Sequence, residues 1–141
     1  MTIIAIDRNL PSSVVLEDFG EGPRLAVSRC ATCGEHRYPP RALCVNDLAE
    51  MERIPASATG KLITAVRMER PPYGFEGAIW VGYVDLPEGV RVFTRLDPRG
   101  QDLVPGMDMA HKVGVVRTIP KDVLGPLFFP ASSEPASGEG R

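Results

Sequence analysis

Three cysteines fall within fifteen residues of this 141-residue chain, and their spacing constrains the fold more than any other feature. Cys30-x-x-Cys33-Gly34 reads as a knuckle: two sulfurs one tight turn apart, with glycine easing the backbone where it curls round a metal. The residues just before it alternate, Leu25 and Val27 sharing a side, as the first arm of a hairpin does. Cys44 follows with ten residues between it and Cys33, a separation at which a second knuckle faces the first. The fourth ligand of such a pair belongs at position 47, and position 47 is Asp. Three thiolates and a carboxylate leave zinc with the same net charge as four thiolates, and a carboxylate is an accepted zinc ligand. His36 competes for the fourth place, since three thiolates and an imidazole are a common structural set. Its position in the loop behind Cys33 makes a tetrahedron harder to close, so Asp47 is favoured and His36 stays open. The bland alternative is a decayed site of small buried cysteines. Redox use of Cys30 and Cys33 is disfavoured, because no strand–CxxC–helix context surrounds them. Any zinc here is structural: a ribbon of about 25 residues has too little core to fold alone, and bound zinc contributes roughly 10–16 kcal/mol in comparable modules.

The rest of the composition narrows the class. Fourteen Gly and fourteen Pro, about a fifth of the chain, favour short strands and turns over long helices. Residues 1–10 contain Ile3, Ile4 and Ile6 without a basic leader, and the cysteine number is odd. A disulfide framework is therefore not expected, and a cytoplasmic location with reduced thiols is. No apolar run is long enough to span a bilayer, so no membrane association is expected. A net charge of −2, from 16 basic and 18 acidic residues, argues against bulk nucleic-acid binding. Thirteen of the basic residues are Arg, which suits forked contacts to phosphate or carboxylate, although genome base composition yields the same bias.

Four stretches separate by composition: a leader at 1–22, a ribbon-like module at 23–54, a strand-rich domain at 55–130, and a small, polar, disordered tail at 131–141. Period-two alternation sorts the strands by face. In 61–68, Leu62, Thr64, Val66 and Met68 share one side. In 78–86 both sides are apolar, Trp80 and Val84 opposing Ile79, Val81 and Tyr83, as in a strand buried on both faces. In 90–96, Val90, Val92 and Leu96 oppose Arg91, Phe93 and Arg95. A fourth strand is expected over 107–118, broken at Gly114, and 123–129 supplies a last strand or a docked turn. The fold class is mainly β, a zinc ribbon followed by a small barrel of the OB type, which closes most of its edges within few residues.

No nucleophile–base–orienter set can be assembled. His36 lies in the ribbon, and His111 reads as a structural histidine on a barrel strand. Interaction residues are better candidates. Arg91, Phe93 and Arg95 share a strand face, with Arg67 and Arg70 near. Such a face suits a partner protein, the phosphate and base of a nucleotide-type ligand or, as the alternative function, single-stranded nucleic acid; it is also compatible with an ordinary solvated face. The loop at 70–77 (Arg70, Pro71, Pro72, Tyr73, Gly74, Phe75, Glu76, Gly77) is stiffened by two prolines and offers two aromatic rings at low entropy cost. Phe75 folding back as a lid is the even-weight alternative. Tyr38-Pro39-Pro40-Arg41 admits the same two readings.

The ordered set Cys30-Ala31-Thr32-Cys33-Gly34, Tyr38-Pro39-Pro40-Arg41, Cys44, Thr59-Gly60-Lys61, Arg70-Pro71-Pro72-Tyr73-Gly74-Phe75, Phe93-Thr94-Arg95-Leu96 and Leu103-Val104-Pro105-Gly106-Met107 resembles a known family. It is the rubredoxin-like zinc-ribbon and OB-fold family of acyl-CoA-associated proteins, formerly a domain of unknown function, and the resemblance covers about residues 22–129. It implies a non-catalytic partner subunit of a thiolase-like protein (a thiolase, a lipid-transfer-type steroid aldolase or a hydroxymethylglutaryl-CoA synthase), in a hetero-oligomer whose ligand is a CoA thioester. Asp47 departs from the four cysteines typical of that family.

Overall fold

The computed structural model describes residues 15–20, 22–75, 77–117 and 122–132. Most of the leader and most of the tail lie outside the described residues.

The N-terminal module is a small antiparallel sheet built on one long strand. β1 (Leu16–Asp18), β3 (His36–Arg37) and β4 (Met51–Pro55) all pair with β2 (Pro23–Cys30). The five strands that follow are β5 (Thr59–Met68), β6 (Ile79–Asp85), β7 (Arg91–Leu96), β8 (Asp108–Arg117) and β9 (Val123–Pro130). They close in the order β5-β6-β7-β9-β8, antiparallel except for the β7–β9 pair. This is the OB arrangement: a Greek-key barrel in which closure removes the free edges.

The two modules share one core. Leu16, Leu25 and Val27 of the ribbon sit in the same apolar cluster as Leu62, Val84, Val92, Leu96, Met109 and Phe128 of the barrel. The junction between them is pinned by side chains. The Ser57 amide donates to Glu88 Oε2 at 3.0 Å, and His111 Nε2 lies 2.8 Å from the Ser57 carbonyl. The His111 ring packs on Phe128 with centroids 4.6 Å apart. Its position fits a structural histidine, although the buried Nδ1 has no protein partner.

Three expectations need correction. In β5 the register shifts between Leu62 and Thr64, so Ile63 is an extra residue and the faces exchange beyond it. Leu62 points inward, whereas Val66, assigned to the same side by alternation, is 54% exposed. Gly82 on β6 accommodates this bulge, since a Cβ there would lie 2.0 Å from the Thr64 carbonyl oxygen. Second, β6 is not covered on both sides: a closed barrel has one interior, which Val84 faces, and Tyr83 is 41% exposed. Third, Gly114 does not break β8; it pairs with Gly125, and the irregularity falls between Val115 and Arg117. The stretch from 123 is a strand, not a turn.

Candidate metal centre and partner face

The ribbon tip is made of two turns with one hydrogen-bond pattern. In the first, the Gly34 amide donates to the Cys30 carbonyl at 2.8 Å and the Cys30 amide to the Glu35 carbonyl at 2.9 Å. In the second, Leu48 donates to Cys44 at 2.9 Å and Cys44 to Ala49 at 2.9 Å. Gly34 and Leu48 occupy equivalent places with φ of 78° and 60°. Asp47 therefore stands where Cys33 stands in the first turn. The ligand atoms of Cys30, Cys33, Cys44 and Asp47 all lie within 4.8 Å of one another. Cys33 and Cys44 sulfurs are 3.6 Å apart, and Cys30 Sγ is 3.7 Å from both Asp47 oxygens. A tetrahedron with ordinary zinc–sulfur and zinc–oxygen lengths has edges of about 3.5–3.8 Å, so the donor set fits that ion. His36 lies in β3 opposite Arg29 and is not among the clustered ligands.

Local donors prepare these groups. The Cys33 backbone N–H holds the Cys30 thiol below its ordinary value. Asn46 N–H acts in the same sense on Cys44, but burial and the neighbouring sulfurs outweigh it and leave that thiol raised. The Ala49 amide, 3.0 Å from Asp47 Oδ1, holds the carboxyl below the usual carboxylate range. Cys30 and Cys44 are buried, while Cys33 and Asp47 face outward. One side of the site thus meets solvent.

The residues singled out on the barrel divide. Phe93 is 57% exposed and packs on Tyr83, ring centroids 5.2 Å apart, while Arg91 forms an ion pair at 2.7 Å with its cross-strand neighbour Asp85. Asp85 is correspondingly held low by Arg91. Arg95, on the same face, is half-buried: it donates to the Val116 carbonyl, and its guanidinium lies 5.7 Å from the Phe75 ring centroid. Phe75 is half-buried above it, as a lid would be, whereas Tyr73 in the same loop is 74% exposed. Pro71 is half-buried; Pro72 and Arg70 are exposed.

Alternation did not reveal Tyr83 and Val66 as outward residues, because β6 looked apolar on both sides and the β5 bulge is invisible to a period-two reading. Nor did it reveal a cavity of about 340 Å³ between the ribbon and the open end of the β7–β9 pair, lined by Val15, Tyr38, Phe75, Val81, Phe93 and Val116 among others. Burial there pushes the Tyr38 phenol up to about 12.

The model of a family described as "ChsH2, rubredoxin-like zinc ribbon domain" matches residues 22–52. Over 99 residues, 70% of this chain and 69% of the relative, the sequence is 33% identical to the benzoylsuccinyl-CoA thiolase subunit BbsA of Thauera aromatica. A solved structure described as "Ltp2-ChsH2(DUF35) aldolase" aligns with TM-score 0.61 and 29% identity, covering 77% of this chain and 85% of that one. Such a length of match cannot be confined to the ribbon. Ribbon and barrel together, the chain belongs to the zinc-ribbon and OB-barrel family, DUF35, that is associated with thiolases.

Proposed function

We propose that the chain is a non-catalytic subunit of a thiolase-superfamily enzyme in the cytoplasm, ordering its partner and contributing to the binding of a CoA thioester. The observation that carries this is the similarity to a thiolase subunit across 70% of the chain. The partner performs the carbon–carbon bond chemistry. Among the described residues, neither histidine lies within a hydrogen bond of a nucleophilic side chain: His111 bonds a backbone carbonyl.

The docking surface is the outer face of β5, β6 and β7, where Val66, Tyr83 and Phe93 form an exposed apolar patch, and Tyr73 of the loop is a further exposed ring. Exposed aromatic residues of this kind are the usual anchors of protein interfaces. Arg91 is neutralised by Asp85, and Arg67 by Glu69 at 2.6 Å, which suits a protein partner better than a phosphate backbone and weighs against the nucleic-acid alternative. Zinc, held by Cys30, Cys33, Cys44 and Asp47, supplies cross-linking of the ribbon tip and no chemistry on substrate.

Co-expression with the thiolase-like protein encoded nearest its gene, followed by native mass spectrometry, tests this. A stoichiometric complex with about one zinc per small subunit is expected; a chain that stays alone overturns the assignment. Within the complex, Phe93→Ala and Tyr73→Ala should each weaken association at least tenfold while leaving the melting temperature of the isolated chain unchanged.

A further inference from the structure

The cavity beside the docking face has a chemistry of its own. β7 and β9 pair only at Arg95–Leu127 and Leu96–Phe128, so the strands are apart on the side where the cavity lies. The walls come from distant parts of the chain, with Phe75, Val81, Phe93, Val116 and Leu124 among the apolar residues that line them. Two polar side chains at its edge each spend a donor on a backbone carbonyl. Thr94 Oγ1 donates to the Pro126 carbonyl at 3.1 Å, and Arg95 donates to the Val116 carbonyl beneath the Phe75 ring. Hydrocarbon meets these mostly apolar walls at little cost, whereas a phosphate would give up its full hydration for a lining whose remaining side-chain donors are the other N–H groups of Arg95 and the Tyr38 hydroxyl. A volume of about 340 Å³ is at the small end of ligand sites and suits one ring or a short branched chain.

We infer that this cavity receives the apolar end of the acyl group of the CoA thioester, so that the small subunit takes part in choosing the substrate. The inference rests on the accessory-subunit reading. Phe93 belongs both to the cavity wall and to the exposed patch, so the cavity opens where the partner would dock, and an acyl group held between the subunits can enter it without crossing open water. Phe75 covers the cavity from the loop side. The charged nucleotide end of CoA stays outside.

The experiment uses the full chain with labelled methyl groups, titrated with 3-phenylpropionyl-CoA, hexanoyl-CoA and free CoA and followed by nuclear magnetic resonance. The acyl thioesters should shift the methyls of Val81, Val116 and Leu124, and free CoA should leave them in place. Val116→Trp, which fills the cavity, should raise the Kd for phenylpropionyl-CoA at least tenfold. Phe75→Ala, which removes a wall without filling the space, should weaken binding by a smaller factor and keeps the test open should the tryptophan variant misfold. Shifts that are the same with free CoA, or absent with every probe, overturn the inference. Its failure is separable from that of the subunit reading: a complex in native mass spectrometry with unmoved methyls removes only the acyl site, whereas shifted methyls without a complex retain the site and remove the partner.

Discussion

The barrel and the tip of the ribbon are held by different physics. In the barrel, each strand contributes buried side chains to a common interior, with Leu62, Val84, Val92, Leu96, Met109 and Phe128 in one cluster. At the tip, Ala31, Thr32 and Gly34 of the first turn and Leu43, Val45 and Leu48 around the second are exposed, and Cys30 and Cys44 are the buried side chains. The base of the ribbon belongs with the barrel, because Leu25 and Val27 join its core. A chain can therefore build one module half on hydrophobic burial and half on ligand atoms, with the change of mechanism falling inside a single strand, β2.

Metal removal should divide the molecule at that point. Structural zinc is worth roughly 10–16 kcal/mol in small modules, more than any other single interaction here. Chelation, or Cys30→Ser, should abolish metal content and unprotect amides of residues 31–49 in hydrogen exchange. Those of β2 near Leu25 and of the barrel should remain protected. Uniform loss of protection would show that the tip is integral to the barrel's stability. The converse perturbation is Phe128→Ala, a large-to-small change at a fully buried site, which should cost about 3–5 kcal/mol. It should lower the barrel's stability in denaturant titration while leaving the zinc stoichiometry of the folded fraction unchanged.

How far each region could be read beforehand follows from the same difference. Ligand spacing is local: Cys30, Cys33, Cys44 and position 47 lie within one short stretch, so the clustering of these four side chains was legible, Asp47 included. Barrel strands were legible through alternation, but a face assignment survives only until a bulge. Ile63 is one such residue, and it separates exposed Val66 from buried Leu62, with which alternation had grouped it. Tyr73 and Phe75 are indistinguishable in sequence terms, yet one is exposed and the other lies on Arg95, since only the fold brings that guanidinium beneath the loop. The cavity could not have been seen at all, as its walls run from Val15 to Pro126.

Within the tip, the two turns differ at the position of positive φ, glycine in the first and Leu48 in the second. A left-handed conformation costs a residue with a side chain about 1–2 kcal/mol, and this leucine is 73% exposed, so it recovers little by burial. Leu48→Gly should stabilise the zinc-loaded chain by up to about 1 kcal/mol, part of the gain being lost to the greater freedom of glycine when unfolded. Gly34→Leu should destabilise it by a comparable amount. Thermal melting of the two variants in excess zinc checks both signs. Equal effects in the same direction would show that the turns are not equivalent despite their shared hydrogen bonds.

The smallest effect should appear at the junction, where pH acts on neither the barrel interior nor the ligands first. Burial holds the His111 imidazole below its ordinary value of 6.5; the Ser57 carbonyl opposes that shift, Arg24 adds to it and Glu88 opposes it. The folded state therefore keeps the ring neutral at a pH where the unfolded chain has begun to bind a proton. The unfolded state binds more protons in this window, so stability rises with pH there. The contribution of His111 is complete above the unfolded value near 6.5 and is lost as pH falls from there through the depressed folded value. Glu88, whose carboxyl is also held low and which accepts from Ser57, titrates in a more acidic range and does not obscure this window. Denaturant midpoints of the zinc-loaded chain should decline as the pH is lowered from 7 toward 5, and His111→Gln should flatten that decline while costing some stability at neutral pH. A slope unchanged by the substitution would assign the pH response to the tip, and the junction would then be a passive link between two differently built halves.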